Sequence, residues 1–161
     1  MTWWQPSHKF DPRSCAIADR HYNRRKIGSP QFVPPGRALV LRHDDDALWT
    51  TSWPFAEYVR HAWPGAWVNS LFRNESDRLS SELILEALAH TRAHWPDVPT
   101  LGMITFVDAG KVRAKRDPGR CYRRAGFTHV GFTKGGLWAF QILEVDMPEA
   151  SPCVDEGRLA L

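Results

Sequence analysis

Hydrophobic positions in this chain fall into short runs separated by polar punctuation, and the period of each run predicts an element. Residues 38–42 and 47–53 are short runs rich in apolar residues on either side of His43-Asp44-Asp45-Asp46. That pattern predicts two strands joined as an antiparallel hairpin, with the acidic triplet as a solvated turn rather than a metal site. Residues 66–72 predict a third strand and 73–79 a polar loop. From Ser80 onward, Leu83, Ile84, Ala87, Leu88 and Thr91 recur at helical spacing, so a helix runs from Ser80 and stops before Pro96. Residues 101–107 read as a strand buried on both faces. A short helix near 118–125 follows, then strands over 128–133 and 137–144 joined at Lys134-Gly135-Gly136. Upstream, Asp11-Pro12 suits a helix start, and that helix is expected to end near Lys26-Ile27-Gly28. Residues 28–36 hold three prolines and read as a loop. Residues 54–63 read as irregular or as a short helix.

This order of elements predicts a mixed α/β layered domain. The expectation is one domain over residues 1–146, with 147–161 as a mobile tail. Composition agrees: 161 residues, 43% apolar and 24% charged, suit a single globular unit. No run approaches the roughly 18 apolar residues of a membrane span. Met-Thr-Trp-Trp-Gln-Pro lacks the basic start and apolar run of a signal peptide. Cys15, Cys121 and Cys153 are widely spaced and form no CxxC pair. They suggest neither a disulfide framework nor a zinc ribbon, so a reduced cytoplasmic protein without a membrane partner is the expectation.

The formal charge of +3 is unevenly spread. Lys111, Arg113, Lys115, Arg116, Arg120, Arg123 and Arg124 crowd one segment, opposed there by Asp117 alone. Arg20, Arg24, Arg25 and Lys26 form a second group. Such clusters favour a phosphate-bearing partner, the plain alternative being a solvated basic face.

The stretch Asp117-Pro118-Gly119-Arg120-Cys121-Tyr122-Arg123-Arg124-Ala125-Gly126-Phe127 carries the most information. A buried strand, a short tyrosine-bearing helix and an Ala-Gly-Phe exit into another strand resemble the C-terminal half of the GNAT acyltransferase fold. The resemblance implies a GNAT-like mixed sheet flanked by helices: an N-terminal antiparallel hairpin, then a central parallel pair, 66–72 and 101–107, splayed at the cofactor site. It implies Tyr122 as general acid beside a thioester sulfur, and acetyl-CoA or a related acyl-CoA as donor. The pyrophosphate would rest on backbone N–H groups and hydroxyls of Ser80 and Ser81, with Phe72 at the strand end and Arg73 and Arg78 adding charge. The loop over 73–81 departs from the family's glycine-bearing pattern, because it contains no glycine and carries Glu75 and Asp77.

His21-Tyr22, Asp108 and Tyr122 taken together resemble the phage Mom-like DNA-modification proteins, which have a GNAT-like core and modify adenine in DNA. This second resemblance implies Tyr122, Asp108, Tyr22 and His21 as catalytic residues, and iron held by His21 and Asp108. Adjacent helical residues point about 100° apart, so His21 and Tyr22 do not both face one site.

The leading expectation is therefore a transferase that places an acyl-CoA-derived group on a nucleic-acid base, with DNA as partner. Lys111, Arg113, Lys115, Arg116, Arg120, Arg123, Arg24 and Arg25 would contact its phosphates. Trp49, Trp53, Trp63 and Trp67 would stack an extruded base. One alternative is an N-acetyltransferase for a small-molecule or protein amine, with Asp108 or Glu75 as base. A third reading is a non-catalytic nucleic-acid-binding module. The oligomeric state stays open, a homodimer included.

Overall fold

The computed structural model of the chain describes residues 3–21, 32–34, 36–54, 59–110 and 117–153. Seven strands form one mixed sheet among these residues: β1 (Gln5–Ser7), β2 (Gly36–His43), β3 (Ala47–Pro54), β4 (Trp67–Asn74), β5 (Met103–Val107), β6 (Thr128–Phe132) and β7 (Trp138–Ile142). Their order across the sheet is β1-β2-β3-β4-β5-β7-β6. The α-helices are α1 (Pro12–Asp19), α2 (Ser80–His94) and α3 (Arg120–Arg124).

The expected hairpin is present, with β2 and β3 antiparallel from Gly36↔Pro54 to His43↔Ala47. Asp44 occupies the turn at a φ of 41°, a conformation that aspartate tolerates better than most residues. The triplet is an ion-pair and hydrogen-bond hub. Arg13 pairs with Asp45, Arg42 donates to the Asp44 carbonyl, and His43 bonds Asp46.

Strand alternation divides the core between two faces. On one face, Leu41, Trp49, Trp67, Met103, Phe140 and Ile142 pack under Leu83, Ile84, Ala87 and Leu88 of α2 and under Tyr122 of α3. On the other, Val40, Leu48 and Leu71 pack under Ile17 and Ala18 of α1. β3 is central and covered on both sides, which is why its first six residues are buried. Of its polar members, Thr51 is satisfied in a chain: the Trp49 indole donates to Thr51 Oγ1 at 2.6 Å, and Thr91 donates to the Ala87 carbonyl. The single hydroxyl proton of Thr91 is thereby used, so between Thr51 and Thr91 it is Thr51 that donates.

Two expectations differ from the structure, and one strand is present that the pattern does not predict. α1 is capped by Asp11 as expected but closes at Asp19, where Arg20 and His21 bond back to the carbonyls of Ile17 and Ala18. These i−3 bonds tighten and end the turn well before Gly28. β1 has no apolar alternation, so the hydrophobic pattern does not mark it. It adds to the sheet because Trp4, fully buried, anchors its start through an indole bond to the Leu83 carbonyl. The segment from Met147, expected as a mobile tail, is docked as far as Cys153. Ser151 bonds the Ala89 carbonyl and accepts from His90, Arg92 donates to the Pro148 carbonyl, and the Cys153 thiol donates to the Trp4 carbonyl. No helix among the described residues is long and apolar enough to cross a membrane.

Candidate active site at the parting of two parallel strands

β4 and β5 are parallel neighbours, joined through α2, but they pair over only three positions, Trp67↔Met103, Val68↔Ile104 and Asn69↔Thr105. β4 then continues to Asn74 and β5 to Val107 without further pairing between them. At the same level the register between β3 and β4 shifts between Thr50 and Thr51, which leaves Ser70 as an extra residue on β4. A bulge bends its strand and increases the local twist, so it helps carry β4 away from β5.

Asn69 sits at this branch point and is almost fully buried. Its Nδ2 donates to the carbonyls of Thr50 and Leu71, both at 3.0 Å. Using both amide protons on carbonyls fixes the orientation of the side chain, so Oδ1 must be the atom that faces α3. Oδ1 accepts from the Tyr122 hydroxyl at 2.6 Å, and the Thr105 hydroxyl proton is shared between the Asn69 main-chain carbonyl at 3.1 Å and Oδ1 at 3.3 Å. One amide thereby ties β3, the bulge of β4, β5 and α3 together.

α3 is short, and packing rather than propensity orients it. Gly119 precedes it at a φ of 75°, and any Cβ there would overlap the Phe140 ring. The Tyr122 ring lies among Phe72, Phe127 and Phe140, with centroids 6.4, 5.3 and 6.4 Å away. Burial pushes the neighbouring Cys121 thiol up, so it stays protonated and is a poor nucleophile.

α2 begins where the unpaired end of β4 hands over to the loop at 75–79. Its N-cap is Leu79, an exposed residue whose side chain offers no capping bond, and Ser80 is the first helical residue. The N–H groups of Ser80 and Ser81 have no intrahelical acceptor, as at every helix start. Asn74 bonds the Ser80 hydroxyl and the Arg78 carbonyl, which holds this entry in shape. Such a start fits a phosphate group in its free amides and dipole. The two arginines expected beside it are already engaged. Arg73 pairs with Glu75, which Arg20 also holds, and Arg78 pairs with Glu86. The Arg20 hydrogen bond, outweighing burial with help from Arg73, keeps the Glu75 carboxyl below its ordinary range. The pairing offsets the negative charge of Glu75, which would otherwise repel an anion here, and it makes Glu75 a weaker base.

Asp108 follows β5 directly, and its carboxylate accepts from the Gly110 N–H in a local turn at 3.0 Å. His21 follows α1, whose helix covers the face of the sheet opposite α2 and α3. Among the described residues no group of three or more His, Cys, Asp or Glu gathers as a metal site. Tyr22, Arg24, Arg25, Lys111, Arg113, Lys115 and Arg116 lie outside the described residues. Of the remaining basic residues, Arg120 and Arg124 on α3 are exposed, whereas Arg123 pairs with Asp117 and lies over the Phe140 ring.

The expected base-stacking tryptophans need correction. Trp49 and Trp67 are fully buried on the α2 face. Trp53 packs edge-on against Trp67 and Trp95 and beneath the Arg37 guanidinium. Alternation along β3 and β4 places Trp49 and Trp67 in the core and the half-buried Trp53 at its edge. Only Trp63, in the connection before β4, keeps company outside it, with His61 and Phe106.

Asn69 and Thr105 are the site residues that sequence reasoning missed. The signal for Thr105 was a polar residue inside an otherwise apolar strand, whereas Asn69 lies among other polar residues of β4. Compared with family models, curated proteins and solved structures, the chain has no match.

Proposed function

We propose that the chain is a GNAT-like transferase that carries an acyl group from acyl-CoA to an amine of a nucleic-acid base, with the parting of β4 and β5 as the reaction site. The observation that carries this reading is the delivery of the Tyr122 hydroxyl to Asn69 at the last paired position of the two parallel strands. When bound, acyl-CoA would supply the activated thioester. Ser80 and Ser81 would hold its pyrophosphate on their amides and hydroxyls, and Phe72 would line the strand that leads there. Tyr122 would protonate the leaving sulfur by turning its hydroxyl away from Asn69 Oδ1, to which it donates in the resting structure. Asp108, at the C-terminal end of β5, stands where ligands bind in open α/β sheets and is the candidate base for the acceptor amine. Exposed Arg120 and Arg124 ride on the helix that carries Tyr122, so phosphate-binding charge adjoins the reacting hydroxyl.

A non-catalytic nucleic-acid-binding module is the second reading. It is favoured by the pairing of Arg73 and Arg78 with carboxylates and by the absence of glycine in the loop before α2.

Calorimetric titration with acetyl-CoA separates the two. Leu79 has φ −65° and ψ 131°, a conformation that a following proline accepts, and proline is well suited to the first helical position. Ser80→Pro therefore removes one phosphate-binding amide while keeping the helix, and Ser80→Ala controls for the hydroxyl. Binding that weakens in Ser80→Pro beyond Ser80→Ala supports the transferase. Absence of binding at millimolar acetyl-CoA overturns it in favour of the module.

A further inference from the structure

The connection before β4 holds a group that the proposed reaction does not use. His61 Nδ1 accepts from the Trp63 N–H at 3.0 Å. A lone pair is therefore needed at Nδ1, and the neutral ring carries its proton on Nε2. That Nε2 is buried and has no hydrogen-bond partner among the described residues. Burial lowers the pKa of the ring, which keeps it neutral. A buried donor without an acceptor is uncommon enough to call for a reason.

The surroundings supply one. The His61, Trp63 and Phe106 rings form a mutual cluster with centroids 5.3 to 6.2 Å apart, and all three residues are half-buried. Phe106 is the residue of β5 immediately after Thr105, where pairing with β4 ends. Thr105 pairs with Phe140 and faces the Tyr122 side, so Phe106 belongs to the opposite face. The connection is anchored: the Trp53 indole donates to the Gly65 carbonyl, the Ala66 N–H to the Trp63 carbonyl, and the Trp67 N–H to the Gly102 carbonyl. The cluster thus flanks the branch point from the side away from α2.

We propose that His61, Trp63 and Phe106 form the recognition site for the acceptor base, stacking its ring and donating the His61 Nε2–H to a ring nitrogen or exocyclic oxygen. This rests on the transferase reading above and adds the substrate's seat to it. Aromatic faces accept any base by stacking, and a single fixed donor selects rings that present an acceptor edge.

The test is titration of the full chain with each of the four deoxynucleosides, and with 2-deoxyribose as a ringless control. It is followed on the imidazole nitrogens by NMR, with His61 assigned through His61→Gln. The expected result is a saturable shift of the His61 Nε2 resonance with at least one nucleoside and none with the sugar. His61→Phe keeps the ring cluster and removes the donor, so affinity should fall about ten-fold, the scale of one hydrogen bond in a desolvated site. Trp63→Leu should weaken binding by a similar factor or more, because the stacking face is removed. Trp63→Phe, a milder change, should retain most of it. Equal affinity in His61→Phe and the parent chain would overturn the proposal and assign the Nε2–H to the neighbouring ring faces. So would the lack of any His61 response at millimolar nucleoside. Acetyl-CoA titration of the same samples keeps the two ideas separate. Nucleoside binding without acetyl-CoA binding leaves the ring site standing and removes the transferase. Acetyl-CoA binding without nucleoside binding removes the ring site alone.

Discussion

The Tyr122 hydroxyl donates to Asn69 Oδ1 across 2.6 Å, at the position where β4 and β5 cease to pair. Both groups are held in place from outside the pair. The Asn69 amide is oriented by two carbonyls, and the Tyr122 ring is set by three aromatic neighbours.

Tyr122→Phe keeps the ring packing and leaves Oδ1 with only the longer bond from Thr105. The expected loss is about 1–2 kcal/mol of stability, the scale of a buried hydrogen bond with its acceptor stranded. Asn69→Ala strands the Thr50 and Leu71 carbonyls as well and should cost about 2–4 kcal/mol, several times a single bond. In a denaturant double-mutant cycle the pair should be coupled by about 1 kcal/mol, and strict additivity would show the hydrogen bond to be unimportant.

Asp11 provides a pH-dependent test of how the N-terminal elements are joined. Burial raises its pKa, but hydrogen bonds from Ser7, the Arg13 N–H and Arg42, with the charge of Arg42, bring it down to about 2 from 3.8. A carboxyl depressed in the folded state stabilises it above the unfolded value, and that stability is lost as pH falls from about 4 toward 2. The full contribution is of the order of 2 kcal/mol. Acid unfolding of Asp11→Asn should show a correspondingly weaker pH dependence in that window. An unchanged profile would show that another carboxylate governs it.

Gly119 combines a positive φ with the Phe140 ring directly over its α-carbon. Gly119→Ala requires both a strained backbone and displacement of that ring, an expected loss of about 2–4 kcal/mol by overpacking together with backbone strain. Melting of the purified variant checks this. Gly136, at a φ of 85° with open space beside it, is the control, because its alanine variant meets only the backbone strain.

Much of this architecture is legible in the sequence. The long helix announces itself by its period, and the hairpin and the apolar strand at 103–107 by apolar runs bounded by turn residues. The parallel placement of β4 and β5 follows from a helical crossover between them. The site is less legible. Tyr122 stands out through its flanking residues, but Asn69 is ordinary in sequence, and its importance arises from a bulge that pattern does not mark. Trp49 and Trp67 read wrongly as a base-stacking surface because their face in a two-sided sheet depends on which helix covers it. His61 and Trp63 lie in a connection without period, where only the tertiary structure reveals their grouping with Phe106.

The exposed arginines of α3 allow a salt-dependence test. Arg120→Ala with Arg124→Ala should reduce the slope of log affinity for duplex DNA against log salt by about 0.9 for each phosphate no longer neutralised. Arg123→Ala should change it less, because Arg123 is paired with Asp117. Binding that is independent of salt in the parent chain would remove the nucleic-acid partner from the reading.

Mass spectrometry of nucleosides from DNA incubated with the protein and acetyl-CoA addresses the transferase reading most directly. The parent chain should yield a nucleoside heavier by one acetyl group. Tyr122→Phe and Asp108→Asn, each confirmed folded and DNA-binding, should yield at most about a hundredth as much, the usual loss on removing a proton-transfer group. Unmodified DNA from the parent chain despite bound acetyl-CoA, or full modification by both variants, would contradict a transfer reaction centred on the parting of β4 and β5.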